Sequence, residues 1–171
     1  MFKSAATQIS RKACSAPTRR ILNKIDLQGM YVLHHGEGKA YADTSLMREN
    51  CLEVTAYDPY SKFEERRVLP DHSFDVVISN YVLNVLPPAE RAAELEKILS
   101  LGNTCFITLR TDKVDGVPHL DGVVTSKGTF QSTKSAADWQ QELGGKVFHS
   151  TPWYVTLIIQ PTSERKSSAA N

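Results

Sequence analysis

Residues 30–38 read MYVLHHGEG, an apolar run closed by a glycine turn. Met30 to His34 is too short for a helix and is bounded by Gly29 and Gly36, the pattern of a buried strand. Gly36 and Gly38 lack a Cβ atom, so the backbone can turn sharply there and a ligand can approach it closely. Asp43 to Asn50 reads as the next helix, with Asp43 or Thr44 as its cap and Leu46 and Met47 inward. Glu53 to Tyr57 (EVTAY) alternates as a second strand and stops at Asp58-Pro59. Asp58 stands twenty residues beyond Gly38. A carboxylate closing a second strand can accept two hydrogen bonds from ribose hydroxyls. Turn and acid together describe a crevice for a nucleotide-like ligand.

Working outward, Phe74 to Ser79 (FDVVIS) reads as a third strand and Thr104 to Leu109 (TCFITL) as a fourth. Between them Pro87-Pro88 opens a helix whose Ala92, Leu95, Ile98 and Leu99 recur at helical spacing, ended by Gly102. Residues 110–135 are polar and glycine-bearing and predict a long functional loop or small hairpin. Ala136 to Leu143 is a helix stopped by Gly144-Gly145. Lys146 to His149 and Tyr154 to Ile159 are the last strands, joined at Pro152. Toward the amino end, Ser15 to Lys24 fits a short amphipathic helix with Ile21, Leu22 and Ile25 on one side. Trp139 is expected in the core and Trp153 at its rim.

Strands alternating with helices predict an α/β domain over residues 15–160. Its sheet should be mostly parallel, covered on both faces and closed by an antiparallel hairpin. Such sheets bind ligands outside the carboxyl ends of their strands, where the strand order reverses. Residues 1–14 read as a flexible basic arm and 161–171 as a mobile tail.

A chain of 171 residues suits one domain, and 41% hydrophobic with 23% charged residues is globular composition, not that of a disordered chain. A formal net charge of +1 gives no global argument for a polyanionic partner. Six basic residues and no acid precede Asp26, so the arm can touch phosphates and nucleic acid is a candidate partner through it. The same composition also serves a solvated helix and tail. Cys14, Cys51 and Cys105 are lone cysteines that form no zinc signature with the histidines, and no metal is expected. His34 and His35 are adjacent on a strand and so point to opposite faces, one satisfied in the core and one facing the site. No apolar run approaches the roughly 20 residues of a membrane span. A cytoplasmic protein is expected, with no membrane partner.

The runs YVLHHGEGK, EVTAYDPY and FDVVISNYVLNVLPPAER, in that order, resemble class I S-adenosylmethionine-dependent methyltransferases. They are especially similar to short phage and bacterial types, including those associated with DNA phosphorothioation. The resemblance spans about residues 15–160 and implies a Rossmann-like three-layer sandwich with S-adenosylmethionine as cofactor. By that resemblance Gly36, Glu37 and Gly38 line the methionine part of the cofactor, and Asp58, followed by Pro59, binds the ribose hydroxyls. Asn80, with Tyr81, lies beside the sulfonium and orients the acceptor, which makes Asn80 the candidate catalytic residue. His34 holds a position commonly occupied by an acid that helps bind the cofactor's amino group, a role Glu37 can take over. Asn84, Arg110, Lys113 and Thr129 are the candidate substrate residues. Arg110 and Lys113 either meet a polar substrate or belong to a solvated loop.

The departures from the family carry information too. The third glycine frequent in the family is absent, with Lys39 following Gly38. Only fifteen residues separate Asp58 from Phe74, barely more than one crossover needs, so the family's third strand is expected to be missing or vestigial. The segment Ser79-Asn80-Tyr81-Val82 is no NPPY element, and no Pro-Cys nucleophile exists, which argues against standard DNA base methylation. The implied function is methyl transfer to an acceptor among small molecules, nucleic acids and proteins. The alternative is a binding or regulatory module that keeps the fold without catalysis. A dinucleotide enzyme is disfavoured by the absent G-x-G-x-x-G spacing.

Overall fold

The computed structural model describes residues 13–39, 41–69 and 71–161. In chain order its first elements are α1 (Ala16–Leu22), β1 (Tyr31–His35), α2 (Tyr41–Arg48), β2 (Glu53–Tyr57), β3 (Phe74–Asn80) and α3 (Pro88–Leu101). There follow β4 (Gly102–Arg110), β5 (Val117–His119), β6 (Gly122–Val124), β7 (Phe130–Ser132), α4 (Ala136–Leu143), β8 (Lys146–Ser150) and β9 (Tyr154–Ile159). The main sheet runs β2-β1-β3-β4-β9-β8. β1 pairs in parallel with both β2 and β3, and β3 with β4. β9 joins β4 antiparallel and β8 closes the edge. This is the mostly parallel sheet with a terminal hairpin that the sequence predicts, and its order reverses between β1 and β3.

Strands buried on both faces must be apolar at successive positions, and these are. Val32, Val76, Ile78 and Phe106 pack with Ile21, Leu27 and Met47 on the α1/α2 face. Their neighbours Leu33, Val77, Cys105 and Ile107 pack with Ile98, Leu99, Trp139 and Leu143 on the α3/α4 face. Between Tyr57 and Phe74 the described residues form only a 3-10 turn, Glu64–Arg66. The third strand implied by the resemblance is therefore absent among the described residues, and β2 is the outermost strand of the main sheet.

Two local readings need correction. α2 begins at Tyr41, so Asp43 and Thr44 do not cap it but lie inside it, buried with Met47 on the inner face. On α3 it is Arg91, 1% exposed, that turns inward, while Ala92 is exposed. Of the two forms expected for 110–135, the hairpin is the one found, extended to a separate three-stranded antiparallel sheet of β5, β6 and β7. Arg91 explains how that sheet is held. Its guanidinium donates to Glu142 (2.7 Å), the Leu86 carbonyl (3.0 Å), Ser132 Oγ (2.5 Å) and Asp121, and lies over the Trp139 ring. Lys134 bridges the same two carboxylates. A buried charge is tolerated only when its donors are matched in this way.

Trp139 is fully buried, as expected, and donates to the Arg110 carbonyl, while Trp153 is 67% exposed. Residues 1–12 of the basic arm and 162–171 of the tail lie outside the described residues. No helix among the described residues is long and apolar enough to cross a membrane.

Replacing Arg91 by Met leaves Asp121 and Glu142 partly uncompensated and should cost roughly 2–4 kcal/mol in urea denaturation. Limited proteolysis of the variant should cut first within 117–132. Unchanged stability would show that the ion network does not hold the small sheet.

Candidate functional site

The turn after β1 is built by backbone bonds across the carboxyl ends of β1 and β2. The amides of Gly36 and Glu37 both donate to the Tyr57 carbonyl, at 2.7 and 3.1 Å. The Gly38 amide donates to Asp58 Oδ2 at 2.7 Å. Turn and strand-end acid are therefore in direct contact at the carboxyl ends of β1 and β2. Asp58 is 5% exposed and its Oδ1 accepts from the Tyr60 amide at 2.7 Å, while Pro59 is exposed. Gly36 adopts φ +71°, and a Cβ there would stand 2.1 Å from Val82 Cγ2. The loop after β3 thus demands this glycine in its own right.

Glu37 does not open toward a ligand. Its carboxylate is buried, accepts from the Thr44 hydroxyl and pairs with Arg66. The Arg66 guanidinium lies over the rings of Phe63 (4.7 Å) and Tyr41 (5.1 Å). Because Thr44 gives its proton to Glu37, His34 Nδ1, 2.8 Å from the same hydroxyl, carries the hydrogen of that contact. Burial pushes the His34 pKa below the ordinary imidazole value, against the pull of Asp43 and Glu37. The expectation that one of the two histidines faces the site is not met: both are buried on opposite faces. His35 meets Glu94 (2.8 Å) and Ser79 (3.3 Å) on the α3 side.

At the end of β3, Asn80 Nδ2 donates to Thr18 Oγ1 at 2.8 Å. Thr18 in turn donates to Asp43 Oδ2 at 2.8 Å, and the Ser15 amide and hydroxyl each reach Asp43 at 2.6 Å. Burial raises the Asp43 pKa, but the hydrogen bonds from Ser15 and Thr18 and the nearby His34 outweigh it, and the carboxyl lies below the ordinary range. Tyr81 follows with φ +63°, an uncommon conformation for a residue with a side chain. Its amide bonds the Thr108 carbonyl at 2.8 Å and its ring packs edge-on against Tyr154. Asn84 Nδ2 reaches Gln131 Oε1 on β7 at 3.1 Å. The Oδ1 atoms of Asn80 and Asn84 are buried without a hydrogen-bond partner.

Gly36, Gly38, Asp58, Asn80 and Tyr81 thus surround the carboxyl ends of β1, β2 and β3, where the sheet order reverses. The other expected substrate residues are engaged elsewhere. Arg110 donates its guanidinium to Asp112, Lys113 is exposed on the following loop, and Thr129 pairs with Thr125 inside the β6–β7 turn. Among the described residues no group of three or more His, Cys, Asp or Glu gathers to hold a metal ion. Thr18, Asp43 and Arg66 are the site residues that sequence reasoning missed. An acid on the inward face of α2 beside Thr44 and Met47 was the available signal for Asp43.

The sequence matches no protein-family model and no curated protein. Among solved structures the chain is similar to the Burkholderia thailandensis 1,6-didemethyltoxoflavin-N1-methyltransferase, bound to 1,6-didemethyltoxoflavin and S-adenosylhomocysteine. That match has a TM-score of 0.65 at 17% identity, over 86% of this chain and 79% of that one. DhpI in complex with SAH matches with a TM-score of 0.63 at 18% identity, over 86% and 84%. Magnesium protoporphyrin IX methyltransferase from Synechocystis PCC 6803, with bound SAM, matches with a TM-score of 0.55 at 16% identity, over 85% and 76%. At these identities the likeness is one of fold: the chain has the Rossmann-like α/β methyltransferase architecture.

A histidine whose folded pKa is depressed stabilises the protein above its unfolded pKa of about 6.5 and destabilises it as pH falls below that value. Asp43, also depressed, adds its loss only in stronger acid, below about pH 4. The urea midpoint should therefore fall between about pH 7.5 and 5.5, and His34→Gln should flatten that fall. An undiminished slope in the variant would remove His34 as its source.

Proposed function

We propose that this chain binds S-adenosylmethionine and directs transfer of its methyl group to a small-molecule acceptor. The observation that carries the reading is the Gly38–Asp58 hydrogen bond at the reversal point of the sheet. It places a glycine turn and a carboxylate side by side, the pairing a nucleoside with a polar tail needs. The buried, unpartnered carbonyl oxygen of Asn80 beside that turn fits a ligand that brings a donor. Small-molecule acceptors are favoured because the matched enzymes named above include methyltransferases of 1,6-didemethyltoxoflavin and magnesium protoporphyrin IX. The affiliation with phosphorothioation-associated types rests on the sequence runs alone and assigns no acceptor.

In this reading the backbone of Gly36 and Gly38 supports the methionine part, and Asp58 takes the ribose hydroxyls. Pro59 fixes the chain direction just after that acid. When bound, S-adenosylmethionine supplies a methyl group already electrophilic on its sulfonium. The protein therefore has to orient an acceptor in line and exclude water, with no strong base required. Asn80 and the strained Tyr81 hold one wall of that space, and Asn84, tied to Gln131, fixes the small sheet as another. Glu37 and His34 act behind the turn: with Thr44 and Arg66 they hold its shape.

Isothermal titration should show S-adenosylmethionine binding in the range common for enzyme ligands, about 1 μM to 1 mM. Asp58→Asn, which keeps the size and one acceptor, should weaken it roughly tenfold. No binding at millimolar concentrations would sink the reading. Tritiated methyl groups should appear in the small-molecule fraction of a cell extract. Label confined to protein or nucleic acid would reject a small-molecule acceptor while keeping the activity.

A further inference from the structure

Resting on that reading, we infer that Asn80 Oδ1 is the acceptor for the cofactor's α-ammonium group, and that Thr18 and Asp43 are the positioning residues that aim it. The argument begins with the direction of one proton. Asp43 is a carboxylate with only lone pairs to offer, so the Thr18 hydroxyl must spend its hydrogen on Asp43. Thr18 then has only lone pairs left for Asn80, which must turn its NH2 group toward Thr18. The amide of Asn80 is planar, so its carbonyl oxygen faces the other way. That oxygen is buried and meets no donor in the protein. A buried acceptor left without a donor is costly, and native structures retain one mainly where something else fills it.

The ammonium is the donor that the rest of the site leaves unserved. Glu37, the acid nearest the glycine turn, is taken up by Arg66 and Thr44. His34 is buried and held on Thr44. Asn80 lies one residue past the β1–β3 pair His35–Ser79, on the strand beside the glycine turn. The Asp43–Thr18–Asn80 chain also polarises the carbonyl, since a negative charge at one end of a hydrogen-bond chain strengthens the acceptor at the other. α1 thereby contributes to ligand recognition without touching the ligand.

The test uses the full chain and two probes that differ only at the group in question. These are S-adenosylhomocysteine and its deaminated analogue, in which hydrogen replaces the α-amino group. Titration of the unmodified protein should favour the amine by about ten- to a hundredfold, the worth of a hydrogen bond to a charged group. Asn80→Ala and Thr18→Val should each shrink that preference about tenfold and leave affinity for the deaminated probe nearly unchanged. The double variant should lose little more than either single one, as coupled residues do. Thr18→Ser, which keeps the hydroxyl, should restore the preference even if Asn80→Ala folds poorly. A general loosening of α1 would weaken both probes alike and leave their ratio intact, and that result would overturn the proposal. An unchanged ratio in Asn80→Ala would do the same while leaving the methyltransferase reading standing. If the unmodified protein binds neither probe, that reading itself falls, and this proposal with it.

Discussion

The buried carboxylate of Asp43 is the interaction on which the neighbourhood of the site depends. Two oxygens gather three donors from the first turn of α1, the Ser15 amide, the Ser15 hydroxyl and the Thr18 hydroxyl. Those bonds tie a seven-residue helix, a length far below what holds a helix together in water by itself, to α2, and Thr18 links it on to Asn80 of β3. They also compensate the burial of the charge, which would otherwise protonate or unfold the region. From this one group the order of Thr18, and through it the orientation of Asn80, follows by elimination of protons.

A second chain of contacts serves the glycine turn. His34, Thr44 and Glu37 are linked in series, and Arg66 closes the series from the segment after β2. The residues that resemble cofactor ligands in sequence thus divide into two kinds. Gly36, Gly38 and Asp58 are joined through the turn itself, while Glu37 and His34 lie buried behind it. The turn holds its shape through side chains that a ligand does not need to touch.

Much of this was legible in the sequence, for reasons that are local. Apolar runs bounded by glycine and proline locate β1, β2 and β3 closely, and the short spacing between Asp58 and Phe74 anticipates the lost strand. The failures share a cause as well. Asp43 reads as a cap because aspartate favours caps, but the pull of Ser15 and Thr18 from a distant segment carries no mark in a local window. Periodicity placed Ala92 inward and could not foresee Arg91 there, since the carboxylates that make its burial tolerable lie thirty and fifty-one residues away. The stretch read as a loop or small hairpin holds three strands, and their bounds were hidden because strands of three residues, one of them Val-Pro-His, are too short to show alternation. Arg66 sits in a single 3-10 turn with no periodic pattern around it, so nothing in its local sequence links it to Glu37.

The truncated sheet has a consequence for how the molecule keeps to itself. Losing the strand beyond β2 turns an interior strand into a border, and a border displays unpaired amides and carbonyls to any passing chain. β2 has the means to discourage such zippering: it is five residues long, begins with the charged Glu53 and is halted by Pro59, two positions after it ends. Its far end is also crossed by the backbone of Arg66, whose carbonyl takes the Asp58 amide. The residues that shorten the domain thus also serve as its selvedge, finishing the cloth where the weave was cut.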